Sequence, residues 1–159
     1  MIGTAFYKNN LDDTAYALAA LWCNENGATI EDKGDYFEVV EIPAPTLAEV
    51  KKKKIAHLKN ERDALEVEDI TVNGNTFDYD DKARERINNA IIALQASGTS
   101  ILWTLANNDS VLVTAQDLVA VVSAVAVRSN ALHIAYRDAK AKVNAAMTAE
   151  EVNAVELEV

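Results

Sequence analysis

Three aspartates, Asp78, Asp80 and Asp81, two histidines, His57 and His133, and one cysteine, Cys23, are the residues here whose chemistry could exceed packing. A run of acids can hold a hard cation, but a calcium loop needs glycine at its sixth position and a closing glutamate, and neither follows Asp78. Asp80 and Asp81 are instead placed to cap the helix that starts after them. Neither histidine has a second histidine, a cysteine or a carboxylate at metal-ligand spacing on its own face, so no zinc site is expected. Cys23 follows the apolar run Leu18 to Trp22 with no cation within a turn to lower its pKa, which predicts a buried, inert thiol. Trp22 and Trp103 could stack on a sugar. Trp22 falls on the inner face of a helix; Trp103 shares a strand face with Ile101 and Leu105, which leaves it either a core residue or an exposed contact residue. No glycine-rich phosphate loop and no Gly-x-Ser-x-Gly elbow occurs, and five glycines leave little scope for such loops. The expectation is therefore no catalytic residue, no cofactor and no bound metal.

Composition narrows the partners in the same direction. The net charge is −10, and only Lys51 to Lys54 offers a local basic stretch, so nucleic acid is not an expected partner. Consecutive helical residues point all round the axis, and with Glu49, Glu61 and Asp63 nearby those lysines read as a solvated surface. No leader of basic then apolar residues follows Met1, and the most apolar run, Leu118 to Val127, is too short to cross a bilayer; neither a signal peptide nor a membrane partner is expected.

The elements that would have to position any site read as an α+β chain in two lobes. Residues 1–43 form a small β-α-β-β lobe: a strand over Ile2 to Tyr7, a helix capped by Asp12 or Asp13 with Ala15, Leu18, Leu21 and Trp22 inward, and a hairpin of Ala28 to Glu31 with Tyr36 to Ile42. Pro43 and Pro45 bracket an extended joint, where limited proteolysis should cut early, as it should in the turn Asn107 to Ser110. Residues 44–159 form a mainly helical lobe with two short hairpins. Thr46 to Glu49 is a capping box that opens a helix to about Leu65. Asn73-Gly74 marks a hairpin between Ile70 to Val72 and Thr76 to Phe77. A further helix carries Ala83, Ile87, Ala90, Ile91 and Leu94 to Gly98, and Ile101 to Leu105 with Val111 to Val113 make the second hairpin.

One long helix, about residues 115–147, organises the rest. Leu118, Val122, Val125, Ser129, Leu132, Tyr136, Ala139, Val143 and Ala146 alternate steps of four and three, the heptad signature of a packed seam. The apolar faces Leu47 to Leu65 and Ala83 to Leu94 are each shorter than this seam. Leu132, Tyr136 and Val143 are therefore expected to meet a partner, either a second copy or another protein, unless Thr148 to Val159 folds back and covers them with Val152, Val155 and Leu157.

The residues from Thr46 to Met147 also resemble a family. Lys54-Ile55, Arg62-Asp63, Asn73-Gly74 followed by Phe77 and Asp80, Arg84, Ile87, Trp103-Thr104, Asn107-Asn108, Val113-Thr114, Asp117-Leu118 and His133 occur in the order and spacing of an uncharacterised domain found near the C-termini of bacteriophage tail and tail-fibre-associated proteins. The chain departs from the pattern at Ala83, where such sequences often carry serine. Tyr16 to Asn26, Ile30-Glu31 and Tyr36 to Val40 are similar to segments that precede this domain in phage tail genes. The resemblance implies a structural or adaptor protein of a tail or tail fibre, made in the host cytoplasm, located in the virion tail and acting by protein–protein contacts. Joined to the seam and strand readings above, this makes Leu132, Tyr136, Val143 and Trp103 the candidate interface residues, toward a tail or tail-fibre protein or, in a homo-oligomer, a second copy of the chain. The alternatives are a fibre-assembly chaperone absent from the particle and, further off, a carbohydrate-binding module or an enzyme.

Overall fold

Local signals in the sequence divide the chain into the elements of an α+β fold, described for residues 1–159 by a computed structural model. Two units result, Met1–Pro45 and Thr46–Val159.

In the first unit β1 (Ala5–Tyr7), β2 (Ala28–Asp32) and β3 (Tyr36–Glu41) form an antiparallel sheet in the order β1-β3-β2, with α1 (Asp13–Asn26) between β1 and β2. Asp12 caps α1 by accepting from Ala15 N. The helix packs through its small residues: Ala19 and Cys23 are buried with Ala28 and Val39, and Tyr16 lies edge-on to Phe6 and Phe37. The expected inner face is corrected here. Leu18 and Leu21 are 57% and 62% exposed. A three-stranded sheet is narrow, and alanine and cysteine four residues apart let the helix axis approach it closely, which turns the adjacent leucines outward.

The second unit is built along α4 (Ala115–Ala145). Around it lie α2 (Leu47–Glu66), the hairpin β4 (Ile70–Val72) with β5 (Asn75–Phe77), α3 (Asp81–Ser97), the hairpin β6 (Ile101–Thr104) with β7 (Ser110–Val113), and α5 (Ala149–Asn153). The β4–β5 turn places Asn73 at φ 52° and Gly74 at φ 81°, the two consecutive left-handed residues that a tight primed turn demands. Asp80 caps α3 through Ala83 N, and Gly98 ends it in the left-handed conformation.

α4 serves two cores. Its first half, with Leu118, Val121 and Val125, packs with Phe77, Ile87, Leu94 and Trp103 from the hairpins and α3. Its second half, with Ala139 and Val143, and Ala146 just past its end, packs with Leu58 of α2 and Val152 of α5, and Val155 and Leu157 close the end. The seam expected to outrun its neighbours is covered, because α3 and α2 lie along different halves of it and the terminal segment folds back over the remainder.

Reciprocal capping boxes start both long helices of this unit: Thr46 with Glu49, and Thr114 with Asp117. Hydrogen bonds from the threonine hydroxyl and backbone N–H hold the carboxyls of Glu49 and Asp117 below their ordinary values of 4.5 and 3.8. A carboxyl with a depressed folded-state pKa stabilises the fold above its unfolded value, and this contribution is lost as pH falls through the folded value. Urea midpoints followed downward from about pH 6 should therefore hold until the ordinary carboxylate range and then drop. Thr114→Ala should lower the plateau by about 1 kcal/mol and make the acid limb shallower.

Candidate functional site

The residues singled out for interface chemistry are inward. Leu132 is 1% exposed, Val143 0% and Trp103 7%. Tyr136 is half-buried, packed against the α2–α4 core, with the Arg62 guanidinium 4.8 Å from its ring centroid. The expectation that Leu132, Tyr136 and Val143 meet a partner is thus corrected: α2 and the folded-back terminal segment occupy that side of α4. The Trp103 alternatives resolve toward the core. Strand alternation sends Trp103 inward and Leu102 outward, and Arg86 lies 4.9 Å from the indole. With two tryptophans in the chain, the buried Trp103 should be protected: Trp103→Phe should remove the blue-shifted, acrylamide-resistant part of the emission, and Trp22→Phe should leave it.

His57 is exposed on α2. His133 is brought to a carboxylate by the α2–α4 packing: its Nε2 lies 3.2 Å from Glu66 Oε1. Ser129, one turn earlier on α4, donates to the same Oε1 at 2.9 Å. Serine, histidine and glutamate therefore meet in space although they are far apart in sequence. A nucleophilic triad needs the histidine to accept from the serine while the acid holds the other ring nitrogen. Here both Ser129 and His133 engage one carboxylate oxygen, so Ser129 Oγ spends its proton on Glu66, and the set ties α2 to α4.

Arg128 completes that tie. One guanidinium nitrogen donates to the Glu66 and Glu68 carbonyls at 3.0 and 2.8 Å, and the other reaches the Asp69 carbonyl at 3.2 Å. These carbonyls belong to the end of α2 and the connection after it, where backbone acceptors lack intrahelical partners. Lys51 and Lys54 do comparable work elsewhere, donating to the Asn144 and Asn153 carbonyls at 2.8 and 3.0 Å. The lysine run read as purely solvated thus contributes two of its members to the ends of α4 and α5. Sequence reasoning missed Arg128 and these lysines because their acceptors are backbone atoms; a cation set among apolar α4 residues was the available signal.

The aspartate run is divided between helix-start roles: Asp80 caps α3 and Asp81 pairs with Arg84 at 2.9 Å. A polar cleft of about 500 Å³ lies between the two hairpins, lined by Asn75, Thr76, Asn107, Asp109 and Ser110 with Leu105 and Val111. On its β6–β7 side Asn107 donates to Asp109 within the turn at 2.8 Å. No aromatic ring lines it to serve as a sugar platform.

What remains exposed is apolar surface on rigid elements. Leu102 and Leu112 face each other across β6 and β7 at 69% and 67% exposure. On α4, Val127 and Ile134 are 72% and 43% exposed. By length and composition α4 could cross a bilayer, but its other side is packed into both cores and Arg128 sits mid-helix.

A family model described as a domain of unknown function (DUF4376) matches residues 49–156. No curated protein and no solved structure matches the chain.

Proposed function

We propose, from the premise that this chain belongs to the DUF4376 family, that it is a structural or adaptor protein of a bacteriophage tail or tail fibre, working by protein–protein contacts rather than catalysis. The observation that carries the contact role is the pairing of a rigid helical scaffold with uncovered apolar surface, at Val127 and Ile134 of α4 and at Leu102 and Leu112 of the β6–β7 hairpin. The Ser129, His133 and Glu66 set and the Arg128 contacts are consumed in holding α2 to α4. The tail assignment rests on the resemblance carried by the ordered series from Lys54 to His133. Mass spectrometry of purified particles of a phage encoding the chain tests it. The proposal expects the chain in the particle at a fixed ratio to tail proteins. Its absence from particles, with copurification of an unassembled fibre chain, would replace it with an assembly chaperone; absence from both would overturn the tail assignment.

A further inference from the structure

Asn-Gly occurs twice in the chain, at Asn26-Gly27 and Asn73-Gly74. Such a pair can react with itself, because glycine has no side chain to keep its backbone nitrogen from the asparagine amide carbon. The fold treats the two pairs in opposite ways. At the end of α1 both reacting groups are engaged: Asn26 Nδ2 donates to the Trp22 carbonyl at 2.8 Å, and the Gly27 N–H donates to the Cys23 carbonyl. In the β4–β5 turn both residues are exposed, and neither the Asn73 side chain nor the Gly74 N–H is hydrogen-bonded. A Cβ at Gly74 would meet nothing within 4 Å, so the space about this residue is open.

We propose that Asn73 is a self-modifying site, converted to aspartate and isoaspartate at a rate set by opening of the β4–β5 hairpin. The Gly74 nitrogen gives up its proton to solvent and attacks Asn73 Cγ; the bond from Cγ to the amide nitrogen breaks, and that nitrogen takes up a proton and leaves as ammonia. Water then opens the cyclic imide at either carbonyl, so water is the sole co-reactant. The closed turn holds the reaction back. With φ positive at both residues it is a type I′ turn, whose ψ of about +30° at the first of them points the Gly74 nitrogen away from the Asn73 side chain. Ring closure needs the turn released, and a hairpin of two three-residue strands is the kind of segment that opens locally. Arg128 bears on that opening, because it holds the Asp69 carbonyl just before β4. The product changes its surroundings. Asn73 lines a cavity of about 70 Å³ together with Asp117, the carboxylate that caps α4 through Thr114, so a new negative charge arises beside one already fixed. Isoaspartate also adds a backbone carbon, which breaks the match between a two-residue turn and its strands.

The full chain incubated in mildly alkaline buffer tests this, with a result that does not depend on the tail assignment. Trypsin places the two pairs in peptides 9–33 and 63–82, where the gain in mass and the fragment ions locate conversion, and a carboxyl methyltransferase specific for isoaspartate labels the product. In urea the two sites should react alike. In the folded chain Asn73 should convert at least about ten times faster than Asn26. Arg128→Met should speed conversion at Asn73 at least about tenfold with Asn26 unchanged. Thr71→Ala, at an exposed position, removes only the Thr71–Thr76 hydroxyl contact and keeps the test if Arg128→Met does not fold; it should speed conversion about two- to fivefold. A folded chain in which Asn26 keeps pace with Asn73, or in which Asn73 stays intact while the urea sample converts, would overturn the proposal. Conversion at Asn73 that ignores the folded variants would also overturn it, since the hairpin would then not set the rate.

Discussion

Leu132→Asp is expected to unfold the second unit. Leu132 is 1% exposed on α4, between the two cores that the helix serves. The substitution deletes a fully buried leucine, worth about 2–5 kcal/mol by itself, and adds a carboxyl that must either be buried without a partner or force the helices apart. A total loss of about 5 kcal/mol or more is comparable with the whole stability of a domain of this size. The helical signal should fall, with no cooperative urea transition left. Lys140→Asp, at an exposed position on the same helix, should stay within about 0.5 kcal/mol of wild type. A Leu132→Asp chain as stable as wild type would put Leu132 at a surface after all.

Arg128→Met is expected to cost about 2–3 kcal/mol, the second largest effect. Methionine keeps much of the apolar stem, so the loss isolates the hydrogen bonds to the Glu66, Glu68 and Asp69 carbonyls. The figure is kept below the sum of three charge-assisted bonds for two reasons. Two of those bonds are solvent-exposed, and Arg128 Nε is already buried without a partner, so removing the guanidinium also removes an existing penalty. Arg128→Lys should recover part of the loss, since one ammonium cannot reproduce the fork. Hydrogen exchange should localise the change to the end of α2 and the β4–β5 hairpin; uniform loosening of the unit would show that Arg128 acts through general packing instead.

Elements whose instructions are local could be read directly. Thr46 to Glu49, Asp80, Asn73-Gly74 and Gly98 each satisfy or shape backbone groups within a few residues of themselves, and the helices and turns they mark are present. The long helix was legible for the same reason: Thr114 caps it and neither glycine nor proline interrupts it. What the sequence could not give was which side of a helix finds which neighbour. On α1 the larger residues looked like the inner face, but closeness to a narrow sheet favoured Ala19 and Cys23. On α4 the periodicity marked the seam but not how much of it the chain itself covers, because that depends on where α2, α3 and the terminal segment pack. The Ser129, His133 and Glu66 set was invisible because its members meet only when α2 and α4 pack. Lys51 and Lys54 show the same limit, since their acceptors are backbone carbonyls far along the chain.

The two cores along α4 also set a timetable for synthesis. Everything the first core uses, from the β4–β5 hairpin to Val125, is contiguous, so it can close as soon as the first half of α4 leaves the ribosome. The second core joins the two ends of the unit: Lys51 and Asn144, bonded in the folded chain, are 93 positions apart, and Lys54 and Asn153 are 99 apart. At about 5–20 residues per second, α2 waits some five to twenty seconds with Leu58 and its neighbours uncovered before its cover is made. During that interval α2 is a free amphipathic helix beside a finished core, and the nascent chain is most open to capture by a chaperone or by a neighbouring chain on the same message.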